Sequence, residues 1–324
     1  MHPCRTLARL LIVPAVAAAP AFAAGEGEWT GRAPVPEQRT EVSVTTDGER
    51  GFLIGGFAAG GGERAEAPRA MFVYRPDEDR WEQEGEIPRG VNHAGFVHHE
   101  GRLYLIGGYR EATFEPIADV FAYDLDEKSW RPGAPMPTAR GALALAVLGG
   151  RIHAIGGATG TRGRSLATHE VYDPASDSWS AAPPMPTARD HLGAAVLDGR
   201  IHAVVGRAGG DFELDAHEVF DPASGEWREA PPVPTGRSGV AVVSHGGWLY
   251  VFGGETFANH QKTFDEAERY HPGEDRWETL APMPTARHGL GAAAVGGHVH
   301  VVSGGPEPGL TYGDANERLA PPGG

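Results

Sequence analysis

The chain has a single cysteine, Cys4, in 324 residues. It precedes an apolar stretch from Leu10 to Ala19 that is flanked by Arg5 and Arg9 before it and by Ala21-Phe22-Ala23 after it. Positive residues, a short apolar core and small residues at a cleavage point are the pattern of a secretory signal peptide. Residues 1–23 are therefore expected to be removed and 24–324 to form the mature protein, exported to the periplasm or beyond the cell. Cys4 would leave with them, which excludes disulfides, thiol nucleophiles and zinc-thiolate sites. The chain also lacks a long apolar run: the stretch after Arg9 is far short of the roughly 20 residues that span a bilayer. A basic stripe is missing too. The formal charge of −15 would become −17 on loss of Arg5 and Arg9, since no acid lies in residues 1–23. Nucleic acids and anionic membranes are thus poor partners, because they are held mainly through phosphate contacts. The same charge keeps copies apart and predicts a monomer. No Asn-x-Ser/Thr sequon occurs at Asn92, Asn259 or Asn316, and His-Glu-x-x-His, Gly-x-Ser-x-Gly and phosphate-cradling loops are all missing.

What the chain does have is a repeat. Trp29, Trp81, Trp130, Trp179, Trp227 and Trp277 recur about every 50 residues. In five units an aromatic stands seven residues before the Trp: Tyr74, Tyr123, Tyr172, Phe220 and Tyr270. Upstream of each is a glycine pair or its remnant, at Gly55-Gly56, Gly107-Gly108, Gly156-Gly157, Val205-Gly206 and Gly253-Gly254, and Gly304-Gly305 continues the series. The unit from Pro135 to Trp179 is the most regular. Alternation in Ala144 to Leu148 and Ile152 to Ile155 predicts two strands joined by a tight Gly149-Gly150 hairpin. Asp173-Pro174 turns the chain into an outer strand beginning near Trp179. The last unit stops before any Trp, whereas Trp29 has no unit of its own. The N-terminal segment is therefore expected to pair with Asn316 to Pro321 and complete the last blade, which removes an exposed strand edge.

The Gly-Gly/Tyr/Trp ladder, with Met-Pro-Thr-Ala-Arg at 136–140, 185–189 and 283–287 and Val233-Pro-Thr-Gly-Arg237, resembles the kelch-repeat family. The resemblance covers essentially the whole of 24–324. It implies an all-β, six-bladed kelch-type β-propeller of the exported bacterial type, with a distant similarity to periplasmic sialic-acid mutarotases. Two departures stand out: Val205 replaces the first glycine of its pair, and Val91 stands where the motif arginine is expected, with Arg89 nearby.

In a propeller the loops joining strands 2 to 3 and 4 to 1 open on one face. Residues repeated in every blade answer to folding; a ligand is served by those that differ. Arg140, Arg189, Arg237 and Arg287 read as structural, as do His153, His202 and His300 on their strands. The variable loops supply the candidate ligand-binding residues Tyr109, Arg110, Arg162, Arg164, Arg207, Glu255, Asn259, His260 and Tyr312, with Glu111, Phe114, Asp211, Phe212, Phe257 and Lys262 beside them. Arg162 and Arg164, flanked by Arg110 and Arg207, suggest a site for a small anion. His93, His191 and His288, with Asp190 and Glu41, lie near the starts of inner strands and have the chemistry of metal ligands. Adjacent strand positions point opposite ways, however, so the expectation is no metal and no other cofactor.

These residues predict a binding module for a protein or glycan ligand, with an acidic ligand one possibility, and no catalysis. The alternative is a carbohydrate-active enzyme. Copper radical galactose oxidases are excluded, since their cofactor needs a cysteine crosslinked to tyrosine. The sialic-acid mutarotases act on an acidic sugar with a Glu/Arg pair, for which Glu255 and the loop arginines are the counterparts implied by the resemblance.

Overall fold

The computed structural model describes residues 27–60, 65–160, 164–258 and 261–321; the expected signal peptide, Arg162, Asn259 and His260 lie outside them. Within these residues the chain is all-β, and no helix is long and apolar enough to cross a membrane. Six four-stranded antiparallel sheets form, each in strand order 1-2-3-4 from inside to outside. In the third, for example, these are Ala144–Leu148, Arg151–Ile155, His169–Asp173 and Ser178–Ala182. The innermost strands, Ser43–Thr46, Gly95–His99, Ala144–Leu148, Gly193–Leu197, Ala241–His245 and Gly291–Val295, neighbour one another in a closed cycle. This is a β-propeller.

Closure takes the expected form. Glu28–Gly31 pairs with Asn316–Ala320, Trp29 opposite Leu319, so the N-terminal strand is the outer strand of the last blade. The tryptophans repeat because most of them do the same two things; Trp29 lacks the cross-strand aromatic partner and Trp130 the indole hydrogen bond. Trp81, Trp130, Trp179, Trp227 and Trp277 lie cross-strand from Tyr74, Tyr123, Tyr172, Phe220 and Tyr270, with ring centroids 5.0–5.4 Å apart. The indole N–H of Trp29, Trp81, Trp179, Trp227 and Trp277 then donates to a carbonyl of the preceding blade's exit loop, at 2.9–3.0 Å.

Apolar clusters fill the spaces between blades. One joins Phe52, Ile54, Met71 and Val73 to Phe96, Leu103 and Leu105 of the next blade. The motif methionines Met136, Met185 and Met283 are buried there. The motif arginine is buried as well: Arg140, Arg189, Arg237 and Arg287 reach Glu170, Glu218, Glu268 and Glu317 on the third strand at 2.5–2.6 Å. Each also donates to a second-strand carbonyl. These arginines tie the segment entering each of these blades to that blade's second and third strands. Blade 2 replaces both partners: Val91 stands at the arginine position and Phe121 at the glutamate position, opposite Leu105. Arg89 instead pairs with Asp119.

The strand histidines are structural too. His153 pairs with His169 at 2.8 Å, His202 with His217 at 2.9 Å, and His300 with Asn316 at 3.1 Å. Burial holds the pKa of His202 at about 3, and those of His153, His169, His217 and His300 at about 4.

One register differs from expectation. In the last blade the turn equivalent to the glycine pair is Ser303-Gly304, not Gly304-Gly305: both Ser303 and Gly304 have positive φ, and Gly304 N–H donates to the Arg39 carbonyl at 3.0 Å. The same bond runs from Gly56, Gly108, Gly157, Gly206 and Gly254 to the next blade. A Cβ at the first residue of the pair would crowd that blade's carbonyl, as at Gly253, 2.5 Å from the Arg287 oxygen. Val205 occupies this position with φ 49°, a conformation costly for a β-branched residue.

Candidate functional site

The first strand of every blade begins at the propeller axis with a residue in the left-handed region: Glu41, His93, Ala142, His191, Gly239 and Gly289. Their backbones form a closed circuit. His93 N–H bonds to the Glu41 carbonyl, Ala142 to His93, His191 to Ala142, Gly239 to His191 and Gly289 to Gly239, and Val42 N–H returns to Gly289. Four of the six are not glycine, and such strain persists only where surrounding structure imposes it. Three of those four carry ionisable side chains.

The residue before each of these supplies a second layer. Asn92, Asp190 and His288 are equivalent to Thr40, and each opposes a residue just after its blade's glycine turn: Tyr109, Arg207, Gly305 and Phe57 respectively. His288 thus sits one position earlier than His93 and His191. Its imidazole nevertheless reaches the same place, because the last blade neighbours the first and Glu41 lies 3.6 Å from His288 Nε2.

The polar contacts fix the histidine tautomers. Asn92 donates its amide to the carbonyls of Glu111 and Thr113, leaving its oxygen to face His93 Nδ1 at 2.6 Å. His191 Nδ1 lies 2.6 Å from Asp190, and its Nε2 accepts from Arg207 at 2.9 Å. His288 Nδ1 donates to the Gly305 carbonyl at 3.1 Å. All three rings therefore hold their Nδ1–H outward and aim Nε2 inward. His93 Nε2 is 3.2 Å from Glu41, and His288 Nε2 is 3.6 Å from Glu41 and 3.5 Å from Glu255.

Burial tends to raise the pKa of Glu41, but the charge of His93 and His288 when protonated, with His191 and Arg207 behind them, lowers it below the usual carboxylate range. Burial lowers His93 to about 3 against the pull of Glu41. Glu255 is raised, by burial first and by Glu41, with His288 opposing. Asp190 would be raised by burial but is held well below the usual carboxylate range by His191, Ser165 and Arg207.

Above this knot lies a bowl of about 590 Å³. Tyr109, Phe114, Phe212 and Phe257 give it aromatic walls, and Asp190, His191 and Arg207 lie at its floor. Arg207 is heavily engaged: 3.2 Å from Asp190, 3.6 Å from Glu255, and over the Phe212 ring at 5.6 Å. Among the described candidates, Tyr109 and Arg207 line the bowl, while Glu255 is buried beneath it. Arg110 pairs with Glu115 at 3.3 Å, Arg164 is exposed, and Tyr312 is half-buried away from the bowl's walls. Asn92, Thr40 and Ser165 escaped sequence reasoning. The pairs Asn92-His93 and Asp190-His191 at one blade register carried the signal for the first.

The comparisons agree with this architecture. The KLHDC2/KLHL20/DRC7 Kelch-repeats domain model matches residues 133–305, more than half of the chain, and a Kelch motif model matches 91–137. The chain belongs to the kelch-repeat family, whose propellers are protein-interaction modules. It is similar to alpha-scruin of Limulus polyphemus, 32% identical over 81 residues, which cover 25% of this chain and 8% of that relative.

Proposed function

We propose that the protein is an exported kelch propeller that binds a protein segment, seating one anchor side chain of that segment in the bowl. The observation that carries this reading is the bowl itself, whose volume falls in the range of small-ligand sites and whose walls come from loops that differ between blades. The floor's charge supports a neutral or basic anchor over an acidic one. Arg207 is balanced by Asp190 and Glu255, and four aromatic rings favour an apolar stem or a cation at their faces. The test is a fluorescence-polarisation screen of peptides with basic, aromatic and acidic anchors. Basic or aromatic anchors should bind, and Phe212→Ala with Phe257→Ala should weaken them at least roughly tenfold. Binding that survives the double change would remove the bowl from recognition. Export has its own test: the protein recovered from the cell envelope should begin at Ala24.

A second reading rests on one feature. Glu255, with its raised pKa, lies 3.6 Å from Arg207, a Glu/Arg pair of the kind an acidic-sugar mutarotase uses. Exchange between sialic-acid anomers followed by NMR, with and without the protein, decides it; an unchanged rate eliminates this activity.

A further inference from the structure

We propose that the axial knot binds one divalent first-row transition-metal ion, held by His288 Nε2 and the carboxylates of Glu41 and Glu255, with His93 approaching the second oxygen of Glu41. This reverses the expectation of no metal drawn from sequence, and it stands apart from the proposed peptide binding.

Orientation is the first ground. His288 Nδ1–H is spent on a backbone carbonyl and His93 Nδ1–H on Asn92, so each turns its Nε2 lone pair toward a carboxylate, that of His288 with the Thr40 hydroxyl 3.5 Å away. Lone pair against carboxylate is repulsive unless a proton or a metal cation lies between them. Fixing the outer nitrogen of a histidine with a carbonyl or amide is how proteins aim a metal ligand.

Spacing is the second. Ligands about 2.0–2.2 Å from an ion at tetrahedral angles lie roughly 3.4 Å apart. The contacts from His288 Nε2 to Glu41 and Glu255 are 3.6 and 3.5 Å, and the ligating atoms of Glu41, Glu255 and His288 all lie within 4.8 Å of one another. Glu41, His93 and His191 satisfy the same limit. There, however, His191 Nε2 already accepts from Arg207, so the His288 set is the first choice.

Charge is the third. The carboxylates of Glu41, Asp190 and Glu255 outnumber the guanidinium of Arg207 three to one in this buried space, and a divalent ion offsets that surplus. Imidazole and carboxylate without thiolate suit zinc, manganese, iron, cobalt, nickel or copper.

The test uses the full mature chain. After chelation and dialysis it is titrated with Zn²⁺ and Co²⁺, desalted and assayed by elemental analysis. One equivalent should be retained, with a Co²⁺ absorption spectrum of nitrogen and oxygen ligation. Glu255→Gln and His288→Ala should each weaken binding by roughly 100-fold or more. His98→Ala, near the far end of the strand Gly95–His99 and outside the Glu41, Glu255 and His288 cluster, should leave it unchanged. If a variant fails to fold, electron–nuclear couplings to imidazole nitrogen in the Cu²⁺-loaded wild type replace it. Lack of a retained equivalent, lack of nitrogen coupling, or binding indifferent to both substitutions overturns the site.

Discussion

Two sets of buried groups stand a few residues apart along the repeat and obey opposite rules. The Arg–Glu pairs of blades 3 to 6 are nearly identical from blade to blade. The axial positions that follow the motif arginine, or Val91 in blade 2, differ in every blade: Thr40-Glu41, Asn92-His93, Gly141-Ala142, Asp190-His191, Ser238-Gly239 and His288-Gly289. The backbone geometry is shared in both sets, so the difference does not come from folding. A pair that closes on itself satisfies its own charges and serves the scaffold. Asp190, His191 and Arg207 pair within one blade, whereas Glu41, His93, Glu255 and His288 meet only across blades.

The comparison can be broken from the scaffold side first. Deleting the chain through Pro36 removes the outer strand of the last blade, and the expected outcome is loss of the cooperative thermal transition, read by circular dichroism. Acid should come next. The five strand histidines have folded-state pKa values of about 3 to 4, below an unfolded value near 6.5. The unfolded chain then binds more protons between those values, so stability is retained above about pH 6.5 and falls steadily toward pH 4. Urea unfolding at stepped pH measures the slope, and a flat profile would show that these rings titrate normally. Arg189→Met leaves Glu218 buried and unpaired and should cost about 3–5 kcal/mol. Adding Glu218→Phe, with Arg189→Val in place of Met, copies blade 2 and should restore a large part of that loss.

The axial side should respond more weakly. Ala142→Gly relieves a left-handed alanine at φ 53° and should raise stability by about 0.5–1 kcal/mol in the same urea assay. Arg164→Glu, on an exposed loop, should shift it by no more than about 0.5 kcal/mol. If acidic peptides bind the wild type and lose affinity in this variant, the basic-anchor reading fails and the arginine face regains its place.

The fold was largely legible because each repeated residue reports a contact made in nearly every blade. Trp29 without a unit of its own foretold the closing strand, and the recurrent motif arginines marked a structural partner before Glu170 or Glu218 could be assigned to it. Serine in a left-handed turn misled the register of the last blade: Gly304-Gly305 looks like the glycine pair, whereas Ser303 takes the first position. The axial site was half legible. His93, His191, Asp190 and Glu41 were recognisable as ligand types, but their convergence depends on a side-chain reach across the ring that no linear spacing encodes. The bowl was hidden for a related reason. Phe114, Phe212 and Phe257 come from three different loops, and only the closed circle brings them to one cavity.

That circle has a mechanical consequence. The propeller is bound by two concentric hoops, a closed one of six backbone hydrogen bonds at the bore and an outer one of five indole-to-carbonyl bonds near the rim, open at Trp130. Pushing any blade outward puts both hoops under tension, and the load passes to blades on the far side. The bore therefore resists dilation. A guest arriving at the axis meets an aperture of set diameter and is selected by whether it fits, since the barrel wall will not give way around it.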